Sequence, residues 1–134
     1  MYYREQEIQM TCVKHFRYRY TRYFRLLFHP QNEGDEDKKK GGRMKAMGVQ
    51  AGVPDLMLLV PRNGYHGLGI EMKTEKGRQS DSQKDYQRLM EEQGYKYVIC
   101  RSLKEFMDVC HEYLGPEEDP NAEALRRILQ FDND

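Results

Sequence analysis

No apolar run in this chain approaches the roughly 20 residues that a membrane helix needs, and the N-terminus carries no signal-peptide pattern. A soluble, cytoplasmic protein is therefore expected. Cysteine is scarce. Cys12, Cys100 and Cys110 are odd in number and widely spaced, which argues against a disulfide framework and a zinc knuckle and predicts reduced, mostly buried thiols. Net charge is missing too, since 22 basic residues match 22 acidic ones. The balance conceals an asymmetry: residues 1–29 hold six Lys/Arg against two Asp/Glu, while residues 80–134 hold seven against thirteen. A basic front and an acidic tail keep open one phosphate-facing side, as well as an ordinary mixed-charge surface. At 134 residues the length suits a single domain, 1–134, with one core.

Residues 3–24 read as a helix, because Ile8, Cys12, Phe16 and Tyr20 recur every four residues and Val13 and Tyr23 widen the stripe. Glu5 precedes Ile8 and Gln9 by three and four residues and shares that inward face. Glu7 neighbours Met10, Thr11 and Lys14 on a more exposed side. Arg17, Arg19, Arg22 and Arg25 alternate with Tyr18, Tyr20, Tyr23 and Phe24, a mixture that suits phosphates and unstacked bases. It equally describes a helix flank with packed tyrosines and solvated arginines. A short strand near Leu26–His29 follows, and Pro30 breaks it. Asp35 to Gly42 has too little apolar content to pack and is expected to be a loop, followed by a helical piece at about Gly42–Met47.

The chain is organised around a hairpin. Pro54 cannot sit mid-strand, so the first strand begins at or just after Asp55 in Gly52-Val53-Pro54-Asp55-Leu56. A turn near Asn63-Gly64 leads to Leu68-Gly69-Ile70-Glu71-Met72-Lys73. Alternation points Ile70 and Met72 one way and Glu71 and Lys73 the other. After a polar loop, Ser80-Asp81-Ser82-Gln83 has capping-box spacing and opens a helix to about Gln93, closed by Gly94. Tyr95–Cys100 reads as a strand. Ser102 caps a further helix that Gly115-Pro116 stops, and Pro120 starts a last helix, about 120–131. The order α-β-(α)-β-β-α-β-α plus a C-terminal helix predicts an α/β fold, a mixed central sheet flanked by helices.

Asp55 and Glu71 are acceptor-only oxygen ligands on strands expected to be adjacent, a candidate site for a hard cation and an activated water. Lys73, on the same face, would orient that water or stabilise charge building on a phosphate. Glu5 would come from the helix as a further ligand. Taken as isolated charges, the same residues also describe a surface cross-strand ion pair worth about 0.2–1 kcal/mol.

Pro54-Asp55, a fifteen-residue interval and then Glu71-Met72-Lys73 resemble the PD-(D/E)xK nuclease motif. The surroundings are more specific. They comprise Gly52-Val53-Pro54-Asp55-Leu56, Ile70-Glu71-Met72-Lys73, Gly77-Arg78-Gln79-Ser80-Asp81-Ser82-Gln83 and Gly94-Tyr95-Lys96-Tyr97-Val98. With Glu5-Gln6-Glu7-Ile8-Gln9 and His29-Pro30-Gln31-Asn32-Glu33-Gly34, they resemble the VRR-NUC branch of that superfamily, in a stand-alone form, over about residues 3–114. The last helix has no counterpart in the resemblance, and Met72 stands where the family's name has valine.

The resemblance implies a restriction-endonuclease-like core and a magnesium- or manganese-dependent DNA endonuclease. It implies Asp55 and Glu71 as metal ligands, the Met72 carbonyl as another oxygen, Lys73 as the residue that positions or deprotonates water, and Glu5 or Glu7 as the helix glutamate, with Glu5 preferred on phase. Gln83 would reach the site or the DNA, or else simply cap its own helix. It further implies a homodimer acting on branched DNA such as four-way (Holliday) junctions. A sequence-specific restriction-type enzyme and a non-catalytic DNA-binding module of the same fold are the alternatives.

Overall fold

The structure, a computed structural model, describes residues 3–31, 38–117 and 126–130. Its elements run α1 (Tyr3–Arg19), a 3-10 helix (Thr21–Leu26), β1 (Leu27–Phe28), α2 (Lys38–Ala46), β2 (Leu56–Leu58), β3 (Leu68–Met72), α3 (Asp81–Glu92), β4 (Lys96–Cys100) and α4 (Leu103–Leu114). The strands form one mixed sheet in the order β1-β2-β3-β4. The first two pairings are antiparallel and β3 runs parallel to β4. Parallel neighbours need a crossover, which α3 supplies. The α/β fold with a mixed, helix-flanked sheet is the one expected. No helix among the described residues is long and apolar enough to cross a membrane.

The main core lies between the sheet and the α1/α4 pair. Cys12, Phe16 and Tyr20 meet Leu56, Leu58, Leu68, Ile70 and Met72 from the sheet, and Phe106, Cys110 and Tyr113 from α4. Phe16 stacks on Tyr20 at 5.2 Å between ring centroids and meets Phe106 edge-on at 6.4 Å. All three cysteines are free and buried. Burial raises each thiol pKa, which keeps them protonated and poor nucleophiles.

The first helix is shorter than its periodicity suggests. It ends at Arg19, and the chain tightens into the 3-10 helix before β1, which is only two residues long. Tyr20 leaves helical geometry (φ −131, ψ 54) while its buried hydroxyl donates to the Gly115 carbonyl at 3.2 Å. That tether to the end of α4 places the break. Part of the arginine–aromatic alternation pairs with itself at the surface, where Arg17, Arg22 and Arg25 are exposed. Arg17 lies 4.6 Å from the Phe24 ring centre, and Arg22 and Arg62 both approach the Tyr23 ring. Arg62 also donates to the Tyr23 hydroxyl at 2.8 Å.

The loop expected at Asp35–Gly42 is corrected in part. Residues 32–37 lie outside the described set, but the backbone is helical from Lys38 onward. Helix formation needs local hydrogen bonds rather than a core, and the straight-chain Lys and Arg residues permit it. Gly48 (φ +105) closes α2, with Val49 N–H donating to Met44 O and Gly48 N–H to Lys45 O. Of the expected terminal helix, residues 126–130 are helical, and Arg126 Nη1 donates to Asp108 Oδ1 on α4 at 2.9 Å. The remainder lies outside the described residues.

The hairpin turn is Asn63-Gly64, both at positive φ, with Arg62 and Tyr65 exchanging backbone hydrogen bonds across it. At the other end of β2 the chain enters through Gly52 (φ +81), where an added Cβ would collide with the carbonyl oxygen of Ser82. The first turn of α3 is thus packed directly on the approach to Asp55. Gly52→Ala should therefore cost about 1–3 kcal/mol of stability, through left-handed strain and a backbone clash. An unchanged urea midpoint would count against this packing.

Candidate active site

Extending the β2–β3 register one step beyond the Leu56↔Ile70 pair sets Asp55 opposite Glu71. Alternation puts both on the sheet face away from the Ile70–Met72 core. Neither is a surface charge: Asp55 is 5% exposed and Glu71 1%. Met72 N–H donates to Asp55 Oδ2 at 2.7 Å, and the Tyr97 hydroxyl donates to Glu71 Oε2 at 2.9 Å. Glu71 titrates well above the usual carboxylate range. Burial is the largest cause, followed by a hydrogen bond to Asp55 and that residue's negative charge. Together they outweigh the opposing pull of Tyr97 and Lys73. The shift favours the protonated form of Glu71 when no cation is bound.

Lys73 follows β3 directly, and its N–H donates to the Cys100 carbonyl at 3.0 Å. Its half-buried ammonium lies close enough to favour ionised Glu71. The loop beyond it is held from β4's end, where Arg101 Nη1 donates to the carbonyls of Thr74 (2.8 Å), Gly77 (2.7 Å) and Glu75 (3.3 Å). On the other flank, His29 Nδ1 lies 2.6 Å from the Asp55 carbonyl, and Gln9 Nε2 lies 3.2 Å from the same nitrogen. Through Gln9 and His29, α1 reaches the backbone of Asp55.

Glu5 is buried, 5% exposed, whereas Glu7 on the same helix is exposed. Among the described residues, however, no three Asp, Glu, His or Cys side chains are gathered closely enough to hold an ion by themselves. Asp55 and Glu71 are brought together; Glu5 is not preassembled with them. Gln83 is engaged as a cap. Its Oε1 accepts from Ser80 N–H at 2.8 Å and its own N–H donates to Ser80 Oγ at 3.3 Å.

Two gathered carboxylates are enough to fit a small hard cation. Magnesium commonly binds through one or two carboxylates, keeps several waters and takes further oxygens from phosphate. A buried pair that favours a proton in the absence of positive charge is the donor set such an ion would stabilise.

The VRR-NUC domain family matches residues 4–104, the span that carries both carboxylates, Lys73 and their supports. The chain belongs to the VRR-NUC family. A solved structure of a VRR_NUC domain protein superposes with a TM-score of 0.72 at 25% sequence identity, covering 82% of this chain and 87% of that one. No curated protein matches. Family membership gives this VRR-NUC chain a nuclease-type, DNA-related function.

Sequence reasoning missed Tyr97, His29 and Gln9 as parts of the site. Tyr97 stands beside Gly69 in the parallel register, so its phenol can extend along the strand to Glu71. Only the β3–β4 register reveals that. The proton on Glu71 has a thermodynamic consequence. Its folded-state pKa lies above its unfolded value, so the folded chain binds more protons over that interval and loses stability as pH rises through it. In chelator, above the histidine range at about pH 7–9, wild type should lose stability with rising pH relative to Glu71→Gln. Urea unfolding at several pH values measures this, and parallel profiles would contradict the proton assignment.

Proposed function

We propose that this VRR-NUC chain hydrolyses DNA phosphodiesters with Mg2+ or Mn2+ held by Asp55 and Glu71. The Met72 carbonyl and Glu5, directly or through water, complete the set. The observation that carries this reading is the buried Asp55–Glu71 pair at the end of the hairpin, with Lys73 two residues on. Such an ion, when bound, supplies charge neutralisation and a more acidic water. Lys73 then orients the attacking water or stabilises negative charge building on the phosphate oxygens. The backbone N–H of Met72 keeps Asp55 pointed into the site, and Arg101 fixes the loop that follows Lys73. Gln83 lies at the start of α3, beside the approach to Asp55; its carbonyl caps the helix, which leaves the amide nitrogen as the group that would meet DNA.

We place the substrate among branched DNAs such as four-way junctions, cut by a homodimer whose two sites act on two strands. An apolar surface supports pairing. Phe28, Leu59 and Leu89 are exposed around a groove of about 480 Å³, also lined by Tyr86 and Tyr95, on the α3 side of the sheet.

The test is a panel of labelled four-way junction, flap, single-stranded and linear duplex DNA, incubated with Mg2+ and then with chelator. Paired cuts in the junction that stop with chelator are expected, and Asp55→Ala, Glu71→Ala and Lys73→Ala should each abolish cutting while the protein stays folded. Wild-type rates in those variants would remove the site assignment. Cutting confined to one sequence in linear duplex would instead indicate a restriction-type enzyme.

A further inference from the structure

A run of hydrogen bonds leads away from Glu71 into the α3 side of the molecule. Tyr97 OH donates to Glu71 Oε2 at 2.9 Å; Gln79 Nε2 donates to the Tyr97 oxygen at 3.4 Å and to Gln87 Oε1 at 2.9 Å. Gln87 Nε2 in turn donates to Glu91 Oε2 at 3.5 Å. The chain links β3, β4, the loop before α3, and α3 itself. Its direction is fixed by simple valence. The Gln79 amide uses one N–H on Gln87 and the other on the phenol oxygen, so the single phenol proton is left for Glu71. The Tyr97 side chain is buried, and the bond it makes is buried too.

We infer that Tyr97 is a positioning residue for the cation site: its hydroxyl, oriented by Gln79, holds Glu71 Oε2 and leaves the other carboxylate oxygen turned toward Asp55. This rests on the cation-dependent reading above and goes beyond it, because Tyr97 touches neither the ion nor the substrate. A carboxylate with one oxygen anchored loses less rotational freedom when it takes up an ion, and partners that orient metal ligands in this way typically govern affinity by about 10–100-fold. The ring fills its place beside Gly69 with or without the hydroxyl, so the contribution of the phenol proton can be separated from packing.

The experiment is Mn2+ titration of the chelator-stripped chain, residues 1–134, by calorimetry, with thermal midpoints recorded alongside. Tyr97→Phe should raise the Mn2+ Kd by about 10–100-fold with little change in Tm. Gln79→Leu, which frees the phenol to rotate, should weaken binding in the same direction but by less. A bond that merely satisfies a buried carboxylate would shift Tm and leave the Kd where it was. A wild-type Kd in Tyr97→Phe overturns the inference. If that variant does not fold, a wild-type Kd in Gln79→Leu overturns it instead. Glu71→Gln separates the two levels of the account: it should abolish Mn2+ binding, and full binding in that variant removes the cation site itself rather than the role of Tyr97.

Discussion

Two buried carboxylates face each other at the open end of a hairpin, and most of the surrounding structure responds to the cost of keeping them there. Like charges this close and this dry resist ionising together, so burial and the Asp55 charge push the Glu71 pKa up. Among the described residues, Lys73 offsets the conflict only in part. The fold anchors the oxygens individually, through the Met72 N–H on Asp55 and the Tyr97 hydroxyl on Glu71. The arrangement costs stability in the free protein and would become favourable if positive charge arrived, as the proposed cation site requires. That is the expected sign for a functional site.

The supports come from both sides of the sheet. Gly52 lets the first turn of α3 lie against the approach to Asp55, and Ser80 with Gln83 caps that helix at the same point. Arg101 ties the loop after Lys73 to the end of β4, so the lysine leaves the sheet along a fixed path. His29 and Gln9 connect the Asp55 carbonyl to α1. The hairpin thus carries the carboxylate pair, while β1, β4, α1 and α3 hold its end in place.

What could be read from the sequence was what short-range rules govern. Asn63-Gly64 specifies a tight turn, Pro54 limits where β2 begins, Ser80-x-x-Gln83 announces a helix, and Gly94 and Gly115 end helices; each is visible within a few residues. Alternation along Leu68–Met72 separated Glu71 from the core-facing Ile70 and Met72. The rest depends on contacts between distant parts of the chain. The break after Arg19 is set by a hydrogen bond from Tyr20 to Gly115, Arg17 and Arg22 lie over the Phe24 and Tyr23 rings, and Tyr97 meets Glu71 only through strand register. No local pattern encodes those distances. The family resemblance named the residues of the hairpin, but the groups that orient them come from strands and loops whose pairing had to be seen.

A cation held between Asp55 and Glu71 is the proposal on which the other roles depend. Its most direct test is anomalous diffraction from crystals soaked in Mn2+. A single strong peak is expected between the two carboxylates, lost in Glu71→Gln crystals treated in the same way. A Mn2+ peak elsewhere, with the Asp55–Glu71 contact unchanged, would contradict it.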